Sequence, residues 1–87
     1  MTDRPAPVSQ VSNLGVELLF QNQTQRSFKL VWLDEAGKRH APVMLPGASR
    51  HLLKTFEGHT WLLLDENNQG AGHVVASGHP ARVIIQE

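Results

Sequence analysis

The chain has 87 residues, no cysteine, and eight basic against eight acidic side chains. That length supports one domain, and its core must suffice without disulfide or thiolate–metal staples. Charges scattered to a net of zero exclude a nucleic-acid or anionic-membrane surface built on clustered Lys and Arg, and no apolar run approaches the length of a membrane span.

Residues 1–14 read as a flexible N-terminal tail, with Pro5, Pro7, several small polar residues and no hydrophobic period. Asp3 and the prolines stand where a signal peptide would carry a basic and then an apolar region. With no cysteine, the expected setting is reducing and cytoplasmic. The folded domain is expected over residues 15–87.

Strands are predicted wherever apolar side chains alternate between Gly, Pro and Asn turns. Val16, Leu18 and Phe20 share one face of a first strand over residues 15–20. Asn22-Gln23-Thr24 reads as a polar turn; it matches an N-glycosylation acceptor, discounted without a secretory signal. The second strand, residues 27–34, is apolar on both faces (Phe28, Leu30 and Trp32 against Val31 and Leu33), as in a central strand. Glu35-Ala36-Gly37-Lys38 is a hairpin turn in which Gly37 takes positive φ. A third strand over residues 39–45 carries Pro42 and belongs at a sheet edge. Residues 49–56 form the fourth strand, which turns at Gly58 into the fifth, residues 60–66. The sixth covers residues 72–76 and the last 81–86, each entered through a Gly-containing turn. Strands at intervals of about ten residues, without a sustained helical period, predict an all-β fold, a single seven- to eight-stranded β-sandwich.

The residues with chemistry to offer cluster around Thr55-Phe56-Glu57-Gly58-His59-Thr60-Trp61. Strand alternation puts His59 and Trp61 on one face. Both tryptophans, Trp32 and Trp61, lie beside turns. An aromatic floor with a hydroxyl and an imidazole at its edge suits a small, partly polar ring; the competing reading is ordinary sandwich core. The five histidines (His40, His51, His59, His73, His79) show no familiar ligand spacing, so no metal and no cofactor are expected. No cysteine and no Gly-x-Ser-x-Gly elbow supplies a nucleophile, which leaves a non-catalytic module. An accessory domain pairing through an open strand edge near residues 39–45 is a further possibility.

Taken in order, Phe20-Gln21-Asn22-Gln23-Thr24, Val31-Trp32-Leu33-Asp34 with Gly37, Leu45-Pro46-Gly47, Thr55-Phe56-Glu57-Gly58-His59-Thr60-Trp61-Leu62, and Asp65 with Gly70 resemble the β-domain of the von Hippel–Lindau tumour suppressor family. The resemblance covers about residues 15–86. It implies a β-sandwich that binds an extended peptide and reads a 4-hydroxyproline. In the family a serine hydroxyl and a histidine imidazole bond the 4-hydroxyl, while tryptophan and tyrosine rings wall the pyrrolidine. By position, Trp32 and Trp61 match the two tryptophans, His59 the histidine, and Thr55 the serine. Departures accompany the match. The chain has no tyrosine; Pro42 stands at the pocket tyrosine, with His40 nearby, Phe56 replaces a second tyrosine, and Lys54 replaces a histidine. The implied peptide site is Trp32, Lys54, Thr55, Phe56, His59 and Trp61, and the implied partner a proline- or hydroxyproline-containing peptide or protein. The family's helical domain, which recruits a ubiquitin-ligase adaptor, has no counterpart in this chain, so adaptor binding is not expected of it. The alternative is a structural or scaffold domain whose pocket has drifted away from hydroxyproline.

Overall fold

A computed structural model describes residues 13–86. The bulk of the expected tail, residues 1–12, lies outside the described residues. Seven strands follow: β1 (Gly15–Asn22), β2 (Phe28–Leu33), β3 (Val43–Leu45), β4 (Arg50–Phe56), β5 (Thr60–Leu64), β6 (Gly70–Val75) and β7 (Ala81–Ile85). They form two sheets, one of three strands in the order β4-β1-β7 and one of four in the order β3-β2-β5-β6. The all-β expectation holds, and no helix occurs among the described residues.

Alternation makes the core. Val16, Leu18 and Phe20 of β1 face Phe28 and Leu30 of β2 across the sandwich, joined by Leu45, Leu53 and Ile85. Phe20, Leu18, Leu30 and Leu45 are at most 1% exposed. Each such side chain contributes about 1.5–3 kcal/mol on burial, which offsets chain ordering without a covalent staple. β2 is an interior strand, between β3 and β5, which accounts for apolar side chains on both its faces.

Several boundaries differ from the periodic pattern for local reasons. β1 continues two residues past Phe20 because Asn22 is itself buried. Its Nδ2 donates to the carbonyls of Arg26 at 2.7 Å, Pro46 at 3.0 Å and Leu45 at 3.2 Å, and its Oδ1 accepts from the backbone N and Oγ1 of Thr24. The amide thus ties the β1–β2 turn to the β3–β4 turn. With its nitrogen enclosed, Asn22 is no glycan acceptor in the folded domain. At the same junction a Cβ on Gly47 would lie 2.6 Å from the Gln25 carbonyl oxygen, so only glycine fits. β3 shrinks to three residues because Pro42 interrupts the ladder, leaving an isolated bridge between Leu33 and Arg39. The strand does lie at a sheet edge, as expected.

The two hairpins, β2–β3 and β5–β6, turn in the same way. Asp34 Oδ1 accepts from Ala36 N at 2.9 Å and Lys38 N at 2.8 Å; Asp65 Oδ1 accepts from Asn67 N at 2.8 Å and Gln69 N at 2.9 Å. Three residues after each aspartate the backbone enters the left-handed region, at Gly37 (φ 81°) and Asn68 (φ 62°). These are the residue types that tolerate it. Asp65 and Glu66 therefore belong to a turn and not to the end of β5.

The chain does turn at Gly58 from β4 into β5, but the two strands do not pair: β4 pairs with β1 while β5 pairs with β2 and β6. The segment between them crosses from one sheet to the other.

Candidate functional site

That crossing builds the site. Gly58 takes φ 83°, and its N donates to the Ala76 carbonyl at 2.8 Å. Ala76 N returns a bond to the His59 carbonyl at 2.9 Å, His59 N bonds the Phe56 carbonyl at 3.1 Å, and Glu57 N bonds the Leu14 carbonyl at 2.8 Å. The corner is fixed on both sides, so the end of β4 and the start of β5 are held together although they belong to different sheets.

In the four-stranded sheet, Trp32 of β2 and Trp61 of β5 are direct cross-strand partners, on the face turned to the core. His59, two residues before Trp61, lies diagonally across from Trp32, and the two rings stack with centroids 5.3 Å apart and planes 19° from parallel. The Phe56 ring meets the His59 ring at 5.5 Å, tilted by 58°. From the three-stranded sheet, Thr55 points inward and is buried, and its Oγ1 accepts the Trp61 indole N–H at 3.0 Å. A hydroxyl that accepts one hydrogen bond keeps its own proton to donate. Lys54 and Phe56, on either side of Thr55, point outward and are exposed, and Lys54 pairs in register with Glu17.

Together Trp32, Lys54, Thr55, Phe56, His59 and Trp61 line one cavity of about 210 Å³. These are the six residues expected to form a peptide site, and the fold brings all of them to one place. Its walls are aromatic. Its polar groups are the Thr55 hydroxyl, the His59 imidazole and the Lys54 ammonium at the edge. Such a lining holds a compact apolar ring and addresses a polar substituent on it. The remaining histidines disperse: His51 lies on β4, His73 on β6, and His79 in the β6–β7 turn. Among the described residues no three His, Asp or Glu side chains converge as metal ligands.

One contributor is not evident from the sequence pattern. His40, on the β3 side of Trp32, stacks on that indole with centroids 4.2 Å apart and planes 29° from parallel. Its backbone N donates to the Trp32 carbonyl at 3.0 Å, and its Nε2 lies 3.0 Å from Asp34 Oδ2. Trp32 therefore has an imidazole on the β3 side and another on the β5 side of its strand. Pro42, the residue that the resemblance sets against the family's pocket tyrosine, is exposed and outside the cavity lining. The usable signal was Asp34, which both opens a Gly37 turn and stands six residues before a histidine. The Asp34 carboxyl is held below its ordinary 3.8, first by the Lys38 backbone N–H and then by the His40 side chain.

With the geometry in view, the chain matches the family model described as the VHL beta domain over residues 8–77. The match takes in every lining residue, begins within the stretch expected to be a tail, and ends before β7. No curated protein matches the chain.

Proposed function

The chain belongs to the VHL β-domain family, and from that membership we propose that it is a non-catalytic, cytoplasmic recognition module for an extended peptide. The proline, or 4-hydroxyproline, of that peptide enters the cavity between Trp32 and Trp61. The observation that carries this reading is the convergence of six side chains from two sheets on a single aromatic cavity. A pyrrolidine ring is rigid, so ordering it costs little, and the indole faces give it apolar contact. Thr55 donates its remaining proton to the ligand hydroxyl oxygen, and His59 accepts the ligand's proton through an unprotonated ring nitrogen. An unmodified proline leaves both groups without their partner, a penalty of about 1–3 kcal/mol.

One observation favours a second reading. The chain has no tyrosine, and Pro42, which the resemblance sets against the family's pocket tyrosine, lies outside the cavity lining. A structural or scaffold domain with a drifted pocket would look this way. Calorimetry with paired peptides, identical except for proline or 4-hydroxyproline, separates the two. The module reading expects the hydroxylated peptide to bind about ten- to a hundred-fold more tightly. His59→Ala should abolish most of that ratio while weak proline binding persists. Equal affinity for the pair in the unmutated domain rules out hydroxyl recognition, and binding of neither favours the scaffold.

A further inference from the structure

We infer that the outer face of the four-stranded sheet is a docking surface for the chain's own residues 1–12. Val31 and Leu33 of β2, and Thr60, Leu62 and Leu64 of β5, point away from the core, because Leu30, Trp61 and Leu63 take the core face. Outward side chains of a two-layer sandwich ordinarily meet water. Yet Val31 is 4% exposed, Leu33 6% and Thr60 0%, and none of the three belongs to the core cluster. At one end of this face Lys29 stands beside Leu64 and reaches Asn68, so its stem gives Leu64 some shelter. At the other end Thr60 stands between Leu33 and Val75, cross-strand neighbours that flank a side chain without lying over it.

Width, ownership and reach identify what covers the face. On the flanking strands the same face is open: Met44 of β3 is 55% exposed and Val75 of β6 45%. The covered strip is two strands wide, roughly 10 Å. That is the footprint of one extended segment and too narrow for a further sheet or a globular partner. The burial exists within a single chain, so the segment is the chain's own. All seven strands already stand in the two layers, and the three-stranded sheet lies on the core side. Outside the described residues only 1–12 is long enough. These residues lead to Leu14, whose carbonyl accepts from Glu57 N, just ahead of Thr60 in the chain. The strip from Thr60 to Leu64 is about 13 Å long, and twelve extended residues reach roughly 40 Å. Pro5, Val8 and Val11 follow neither the helix nor the strand period but a spacing of three. In a polyproline II segment, with three residues per turn, they would share one face. The prolines cannot join a ladder, and over a layer of side chains none is asked of them. The family match, too, takes in the chain from residue 8.

The test uses the full-length chain. It has no cysteine, so Ser9→Cys accepts a nitroxide label at a single site. Broadening of methyl resonances should be strongest at Val31, Leu33 and Leu62. It should be weakest at Leu52 and Ile84, on the outward face of the other sheet. Labelled chains without isotope, mixed with isotope-enriched chains without label, should show no broadening. Broadening that survives the mixing assigns the strip to a second copy and overturns the inference, as does equal broadening on the two outward faces. The double variant Val8→Asp with Val11→Asp places charges against the strip and should lower the melting temperature by at least about 5 °C. An unchanged melting temperature would also overturn it.

Discussion

The Trp61 indole nitrogen donates to Thr55 Oγ1 across 3.0 Å, joining β5 of one sheet to β4 of the other. The bond does two things at once. It gives a part-buried indole N–H its acceptor, and it occupies one lone pair of the Thr55 oxygen while leaving its proton to donate.

Thr55→Val keeps the shape of the side chain and deletes the acceptor. It should cost about 1–3 kcal/mol of stability, the penalty for leaving the indole N–H unpaired, and it should also remove discrimination by hydroxylation. Thr55→Ser restores a hydroxyl and should recover most of both. Urea midpoints for the two variants provide the check; a valine variant as stable as the parent would show the bond to be energetically idle.

Trp61 packs against the core beside its cross-strand partners Trp32 and Val74, although it is only partly buried. Truncating a fully enclosed tryptophan costs about 3–5 kcal/mol, so Trp61→Ala should fall at or just under the lower end of that range. In a domain of this size the melting temperature should drop by at least about 10 °C. An unchanged Tm would mean that the ring serves the ligand alone.

Asn22 holds two turns together from inside the domain. Asn22→Ala would strip the carbonyls of Arg26, Leu45 and Pro46 of one donor and leave the Thr24 backbone N–H without its acceptor. We expect a loss of about 1–3 kcal/mol, because Thr24 N loses its buried acceptor, while Thr24 Oγ1 and Ser49 Oγ still reach the carbonyls of Arg26 and Pro46. Asn22→Asp should be no better at neutral pH, because a carboxylate would face three carbonyl oxygens. Denaturant titration of both variants tests the point, and a mild effect in the aspartate variant would contradict the bond assignment.

Much of this architecture is legible in the sequence because strand alternation is a local signal. Val16-Leu18-Phe20 and Phe28-Leu30 declare their inward faces without reference to anything distant, and Gly37 marks its turn by the φ it must adopt. Pairing is different. Phe56-Glu57-Gly58-His59-Thr60 reads as a turn because chain reversal is local, whereas the sheet each strand joins is decided by ladders with residues far along the chain. The stretch from Thr55 to Trp61 already offers an aromatic floor with a hydroxyl and an imidazole at its edge, but the full lining, with Lys54 and Phe56, comes through resemblance, since a threonine and an imidazole four residues apart do not by themselves reveal that two sheets meet between them. His40 was obscured for a related reason. Attention falls on Pro42, where an aromatic ring is missing, while the ring that reaches Trp32 lies two residues earlier, in register through the bridge at Arg39.

The last prediction concerns that ring and its anchor. Asp34 Oδ1 caps the β2–β3 turn through Lys38 N and Ala36 N, and Oδ2 faces His40 Nε2, whose ring lies on Trp32. The Lys38 N–H, and next the His40 side chain, lower the Asp34 pKa from its ordinary 3.8. A carboxylate whose folded pKa is depressed stabilises the fold above the unfolded value, and that contribution disappears as pH falls through the folded one. Acidification below the ordinary value should therefore loosen the turn and the stack, with no change from this group near neutrality. The Asp34 Cγ resonance should titrate with a midpoint under 3.8, and a midpoint at or above it would refute the capping role. Asp34→Asn keeps an oxygen for the two backbone N–H groups but loses the charge facing His40, so it should fold at neutral pH with a flatter acid limb. His40→Ala should weaken proline and hydroxyproline peptides by the same factor, because it unsettles Trp32 without touching Thr55 or His59. His40→Phe, which keeps a ring for stacking, should restore most of that affinity. A change in the ratio of the two affinities in His40→Ala would instead place His40 in direct contact with the ligand hydroxyl.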